Sequence, residues 1–479
     1  MSLLVAGTAS DAGKSVITAA LCRWLTRQGM SVAPFKAQNM ALNSTVTASG
    51  AEIGRAQAMQ AAACGIEPEA AMNPVLIKPS GRRRSQVLLM GKPYANATAR
   101  SYQDLKAELR EPVLNALKDL QNRYDVVICE GAGSPAEINL RANDLANMGL
   151  ARAADLPVLL VGDIDRGGVF PSLFGTLALL EPADQALIAG YVINKFRGDA
   201  SILAPGLETL FKLTGRPTYA VLPWLDGPFI DAEDSLALRA PAQDGATLDV
   251  AVIRLRWMSN FTDLDALASE PGVSVRFTRS AADVERADLV VLPGTKATVE
   301  DLQGLREAGL DRALQERDGP TLGICGGYQM LGKTIEDDVE SGEGRVDGLR
   351  MLPITTRFDT EKLLQRVSGT VWGVAASGYE IRHGRIDRDE SLLHYNNVLG
   401  TSWHGLLEGD AFRRKLLTWV AERRGRDWTP GTTEFAQVRE AHLDRLADWF
   451  GEHIDAPALL ELIQRGAPER LPVIACSVS

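Results

Sequence analysis

The chain has 479 residues, of which 45% are apolar and 23% charged, and its net charge is −10. That length is too great for one ordinary core, so two or three domains are expected. The acidic balance, with no basic block long enough to track a phosphate backbone, argues against nucleic acid as a partner. No window approaches the roughly 18 uncharged apolar residues of a bilayer span.

The N-terminal run Met1-Ser-Leu-Leu-Val-Ala-Gly7 enters an apolar strand directly, without the basic region of a signal peptide. It leads into Gly7-Thr8-Ala9-Ser10-Asp11-Ala12-Gly13-Lys14-Ser15 and then into a helix with apolar residues at helical spacing. Strand, glycine loop, Lys-Ser and helix form the context of an ATP-binding phosphate loop. Backbone N–H groups and the helix N-terminus hold phosphate oxygens, Lys14 neutralises charge, and the Ser15 hydroxyl suits Mg²⁺. The usual first glycine of the motif is replaced by Thr8, with Gly7 one place earlier.

Further near-continuous apolar runs at 32–35, 126–129, 158–161 and 188–193 predict strands covered on both faces. Three end in polar groups at the edge where nucleotides bind. Glu130 is a candidate Mg²⁺ ligand. Asp163 is a candidate for metal or substrate, or a turn cap, and Asn194 can present its amide to an adenine edge. The polar, Pro/Gly/Asp-rich stretch 224–245 reads as a linker. Boundaries are set at 1–228 for the N-terminal domain, 229–247 for the linker, 248–455 for the C-terminal domain and 456–479 for a tail. A second α/β series follows at 249–255, 273–277, 289–292 and 322–325, then a solvated loop at 336–348 and helices near 410–424 and 435–450. The expected fold is α/β, with two doubly wound, mainly parallel sheets.

Five cysteines, Cys22, Cys64, Cys129, Cys325 and Cys476, are scattered without paired spacing, which predicts reduced thiols and a cytoplasmic enzyme. Only Cys325 has a setting that asks for chemistry. Gly323-Ile-Cys325-Gly326-Gly327 joins a strand to a helix as a nucleophile elbow. The helix N-terminus favours thiolate, and backbone N–H groups such as that of Gly326 can serve an oxyanion hole. The thiolate needs a base. Among five histidines, His404 is preferred, with His383 as the runner-up.

These motifs resemble known families. The cysteine elbow with a downstream histidine looks like the class I, triad-type glutamine amidotransferases, and Leu289-Val-Val-Leu-Pro-Gly294 looks like their second oxyanion-hole segment. The N-terminal half resembles the dethiobiotin-synthetase-like ATPases, whose phosphate loop has the same extra residue. The combination, over essentially the whole chain, is similar to the cobyric and cobyrinic acid amidases of cobalamin biosynthesis. The segments at 35–44, 52–57, 163–170 and 378–381 look like the cobyric acid branch.

The resemblance implies that Cys325 and His404 release ammonia from glutamine through a thioester. ATP phosphorylates a corrin carboxylate, and ammonia displaces the phosphate. The substrate would be a cobalt corrinoid, adenosylcobyrinic acid a,c-diamide, amidated on its b, d, e and g side chains. It further implies Glu52 and Glu130 as Mg²⁺ ligands, Asn194 at adenine, and Lys36 at phosphate or corrin. Many relatives carry Glu two residues after the histidine. Here Leu406 stands there, so Glu408 or a bare Cys–His dyad is the alternative. Arg82-Arg83-Arg84 is a candidate clamp for an acidic corrin, or a solvated turn. The rival readings are the sister amidase acting on the a and c carboxylates and a ParA/MinD-like ATP switch.

Overall fold

The computed structural model describes residues 1–80, 84–225, 227, 230–231, 245–388 and 390–474. Arg82, Arg83, most of the expected linker and Cys476 lie outside the described residues, whereas Arg84 is exposed at the start of the strand Arg84–Leu89.

The N-terminal half is built on six parallel strands. Their order is Thr218–Pro223, Ile188–Phe196, Val158–Asp163, Ser2–Gly7, Val126–Glu130 and Val32–Phe35. Successive side chains of a strand point to opposite faces, so one strand feeds two cores. Leu4 and Ala6 enter one cluster, and Leu3 and Val5 enter the other. This double burial is why the strands read as unbroken apolar runs. The parallel register brings Gly7, Glu130, Asp163 and Asn194 to one edge of the sheet.

The second sheet runs Val273–Thr278, Leu248–Ile253, Leu289–Leu292, Thr321–Ile324, Val398–Thr401 and Leu393–Tyr395, with only the last strand antiparallel. It too is packed on both faces. The two doubly wound sheets expected from the sequence are present.

Three features depart from the sequence reading. Within the stretch 336–348, expected as a solvated loop, Gly344–Asp347 pairs with Thr334–Asp337 at the edge of a separate four-stranded sheet. Its exposed, charged side chains disguise a strand as a loop. The same sheet contains the long hairpin Thr355–Val371/Val374–Ile386, whose Tyr379 and Ile381 pack on Val46 of the N-terminal half. Thirdly, the helix Phe435–Gly451 and the following helix Ala456–Arg465 join the core of the N-terminal half. Phe435–Gly451 lies along Lys14–Arg27, with Trp24 edge-on to Phe450 and Arg23 bonded to both Glu440 and Asp444. Its apolar stripe was legible, but not which core the stripe covers.

Candidate active site

The thiol site is assembled from four separate elements. After the strand Thr321–Ile324 the chain turns sharply, leaving Cys325 at φ 49° and ψ −108° before the short helix Gly326–Met330. A non-glycine residue held in such backbone costs on the order of 1–3 kcal/mol, and this turn aims the sulfur out of the sheet. The turn needs glycine beside it. A Cβ on Gly327 would collide with the carbonyl of Leu292, and one on Gly326 would press on the backbone of Thr295. Thus the strand end at 292–295 packs directly over the elbow, which places Gly294 and Gly326 together. Gly294 also lies under the His404 ring, where a Cβ would come within 2.9 Å of Cε1.

His404 follows the strand Val398–Thr401 and exchanges two backbone hydrogen bonds of 2.9 Å with Tyr379, whose ring stacks on the imidazole. Its Nδ1 lies 2.7 Å from Oδ2 of Asp263, and the other carboxylate oxygen accepts the N–H of Gly405 at 2.8 Å. The Cys325 thiol lines the same cavity as His404 and donates to the Ile381 carbonyl at 3.8 Å. Asp263, His404 and Cys325 are all buried. Burial lowers the imidazolium pKa, but the charges of Asp263 and Cys325 and the Asp263 hydrogen bond outweigh it and hold it at about 10. Cys325, His404 and Asp263 therefore form a complete nucleophile–base–orienter chain.

Asp263 was missed by the sequence reading. It sits in the single turn Phe261–Leu264, 141 residues before the histidine. A local turn of this kind has no periodicity to betray it. Its one cue was an Asp soon after the first strand of the second domain, and Asp265 two residues on offers the same cue. Glu408, the candidate orienter, is turned away: it binds Arg55 at 2.6 Å and Arg439 at 3.1 Å. Leu406 is buried. His383, the runner-up, lines the same cavity as Cys325 but bonds the Asp359 carbonyl through Nδ1.

The phosphate-loop site lies at the edge of the first sheet. Gly13 has φ 95°, and a Cβ there would collide with the Asn194 amide, so glycine is required on both counts. Lys14 Nζ curls back onto the carbonyls of Ala9, Ser10 and Gly133. Ser15 donates to Glu130 Oε1 at 2.7 Å; the same oxygen meets Lys36 at 2.8 Å, and Gln60 donates to Oε2 at 2.6 Å. Thr8 donates its N–H to Val161. Asn194 donates to the Ala12 carbonyl, so as placed its amide braces the loop. Asp163 is paired with Lys195 at 2.8 Å.

Thr8, Gly13, Lys14, Ser15, Lys36, Glu130, Asp163 and Asn194 thus converge around one loop. Glu52 does not join them. Its carboxylate is fully buried between Lys78 and Lys362, each at 2.5 Å. The physical reason is charge: two ammonium groups already saturate it. Ser15 and Glu130 do suit a hard cation, offering two oxygen donors that meet at the phosphate loop.

A phosphate-loop sheet joined to a glutaminase-like sheet with a thiol triad defines a class, the ATP-using glutamine amidotransferases. Residues 3–233 match the CobQ/CobB/MinD/ParA nucleotide binding domain, and residues 249–412 match the CobB/CobQ-like glutamine amidotransferase domain. The chain is 56% identical to a protein of Frankia casuarinae named cobyric acid synthase, with 98% of each chain covered. A Streptomyces coelicolor protein of that name is likewise 56% identical over 98% of each chain. One from Rhodococcus jostii is 55% identical over 100% of this chain and 98% of its own. The chain belongs to the cobyric acid synthase family, and is an amidating enzyme. These full-length likenesses favour neither the sister amidase nor the ATP switch.

Proposed function

We propose that this enzyme converts adenosylcobyrinic acid a,c-diamide to adenosylcobyric acid, amidating the b, d, e and g carboxylates with ATP and glutamine. The observation that carries the reading is the Cys325–His404–Asp263 chain in one polypeptide with a phosphate loop. His404, oriented by Asp263, holds the Cys325 proton as an imidazolium, the thiolate attacks the glutamine amide carbon, and the imidazolium protonates the departing nitrogen. Gly294 and Gly326 supply oxyanion N–H groups. Ammonia leaves, and water hydrolyses the thioester to glutamate.

At the other site Thr8, Gly13, Lys14 and Ser15 hold the ATP phosphates, with Asn194 beside the loop and the adenine. Ser15 and Glu130 would hold Mg²⁺, which supplies charge neutralisation for phosphoryl transfer. Lys36 and Asp163 face phosphate or corrin. The corrin carboxylate takes the γ-phosphoryl group, ADP leaves, and ammonia displaces phosphate to give the amide. The partners are thus ATP, glutamine and a cobalt corrinoid. We place the enzyme in the cytoplasm, in keeping with the four free cysteines among the described residues. Among those residues no helix is long and apolar enough to cross a membrane. The test is incubation with the a,c-diamide, ATP and glutamine, followed by mass spectrometry. Successive acid-to-amide mass changes are expected, and an unchanged corrinoid would overturn the reading.

A further inference from the structure

Glutamine is a zwitterion, and Cys325, His404 and Asp263 deal only with its carboxamide. The α-ammonium and α-carboxylate at its other end need partners of their own in the same cavity. Among the described residues that line this cavity, Lys78, Lys296, Lys362 and Arg382 bring positive charge and Glu340 brings the carboxylate. Three of those cations are committed to carboxylates outside the lining. Lys78 and Lys362 hold Glu52, while Arg382 holds Glu380 at 2.9 Å and the Gly384 carbonyl at 2.6 Å. Lys296 and Glu340 differ: they pair with each other, and both line the cavity. Their charges sum to zero, as those of the amino-acid end of glutamine do.

The two residues come from unrelated segments. Lys296 stands just after Gly294 and Thr295, and its N–H donates to the Trp257 carbonyl at 3.0 Å. Glu340 sits in the turn between the strands Thr334–Asp337 and Gly344–Asp347. Asp337 fixes that turn by accepting the N–H groups of Glu340 at 2.7 Å and Ser341 at 3.0 Å. Backbone bonds thus position both residues independently of their ion pair. The Lys296 and Glu340 side chains are 10% and 19% exposed, so the pair is largely desolvated yet open to a ligand.

We propose that Lys296 and Glu340 are specificity-determining residues for glutamine, Lys296 binding its α-carboxylate and Glu340 its α-ammonium group. Glutamine replaces one internal ion pair by two pairs with the enzyme, and no charge is left over. A ligand with only one of the two groups parts Lys296 from Glu340 and leaves one of them desolvated without a counter-charge, which is costly. The catalytic chain stays in place throughout, so the selection acts on the end of the substrate remote from the sulfur. The inference rests on the glutaminase step of the function proposed above.

The test compares three amides in the intact enzyme, with ATP, Mg²⁺ and the a,c-diamide present: glutamine, glutaramate, which lacks the α-ammonium group, and 4-aminobutanamide, which lacks the α-carboxylate. Wild-type kcat/KM should be at least about 10²-fold lower for either analogue than for glutamine. Glu340→Gln should shrink the glutamine-to-glutaramate ratio at least about tenfold, mainly through KM for glutamine, while the ratio to 4-aminobutanamide does not fall. Lys296→Met should do the reverse, shrinking only the ratio to 4-aminobutanamide. An analogue turned over too slowly is compared through its inhibition constant against glutamine. A pair that only tied the turn in place would slow all three amides alike. Unchanged ratios in a variant that thermal melting shows to be folded therefore overturn the proposal, as does a wild type indifferent to the missing groups. The two variants are read separately, so one that does not fold leaves the other to decide. A wild type that makes amide from ammonium salt but releases no glutamate from glutamine fails the glutaminase step instead.

Discussion

The two sites of this enzyme are prepared to different degrees. At the thiol site the base and its orienting carboxylate are already bonded and share one cavity with the nucleophile, with the backbone bent to present the sulfur. At the phosphate loop the same kinds of group satisfy one another: Lys14 on loop carbonyls, Lys36 and Ser15 on Glu130, and Lys195 on Asp163. The first arrangement needs only glutamine. The second must exchange internal partners for phosphate and cation, so its ligands contribute order that the chain alone does not. Free ammonia is lost to solvent. A glutaminase built ready beside a nucleotide site built closed therefore calls for control between them.

The comparison is broken most sharply by removing one site at a time. Cys325→Ser should reduce glutamine-dependent amidation by at least about 10³-fold while amidation with added ammonium salt survives. Lys14→Ala should abolish amidation from either nitrogen source, also by about 10³-fold, because phosphoryl charge is then uncompensated. Corrinoid mass spectra with each nitrogen source check both. Loss of ammonium-dependent product in the cysteine variant would mean that the sites are not separable.

How legible these sites were follows from how local they are. The phosphate loop and the cysteine elbow are continuous segments in which every residue is constrained by one turn, and both were readable. So were the buried parallel strands, since double burial leaves an apolar run. The contacts that cross the chain were not readable. Asp263 reaches His404 from a turn with no repeat, and Glu408 was the better local guess, being four residues from the histidine. The partners of Glu52 explain its misplacement: Lys362 is 310 residues away, on a hairpin whose exposed polar alternation gave no strong signal. The helix Phe435–Gly451 shows that even a clear amphipathic pattern names a buried face without naming its neighbour.

Asp263→Asn sharpens the glutaminase side. An amide keeps the shape but not the charge, so glutamine hydrolysis should fall by roughly 10²–10⁴-fold, measured as glutamate release. The same variant carries a pH signature. The folded His404 pKa of about 10 lies above its usual value of about 6.5, so the stabilisation is fully present below about pH 6.5. It is lost as pH rises towards about 10. Wild-type melting temperature should therefore fall more steeply than that of the variant across this window. Parallel curves would show that Asp263 does not set the charge state of His404.

Glu408→Gln is expected to give the smallest change in chemistry, and it tests whether proximity in sequence misleads. The carboxylate binds Arg55 and Arg439, and Arg55 also holds Asp231 at 2.7 Å. Burial by itself raises the Glu408 carboxyl, but the two guanidinium groups outweigh it and lower it. The group therefore stays charged through the neutral range, and the amide removes a true ion pair. Its side chain is 24% exposed, so solvent screens part of the effect, and a loss of about 1–2 kcal/mol in stability is expected. Glutaminase turnover should remain within about threefold, since the Nδ1 bond of His404 belongs to Asp263. A fall as deep as that of Asp263→Asn would make Glu408 a member of the catalytic chain after all. A stability loss with intact turnover would fix its role as a tie between the two halves of the molecule.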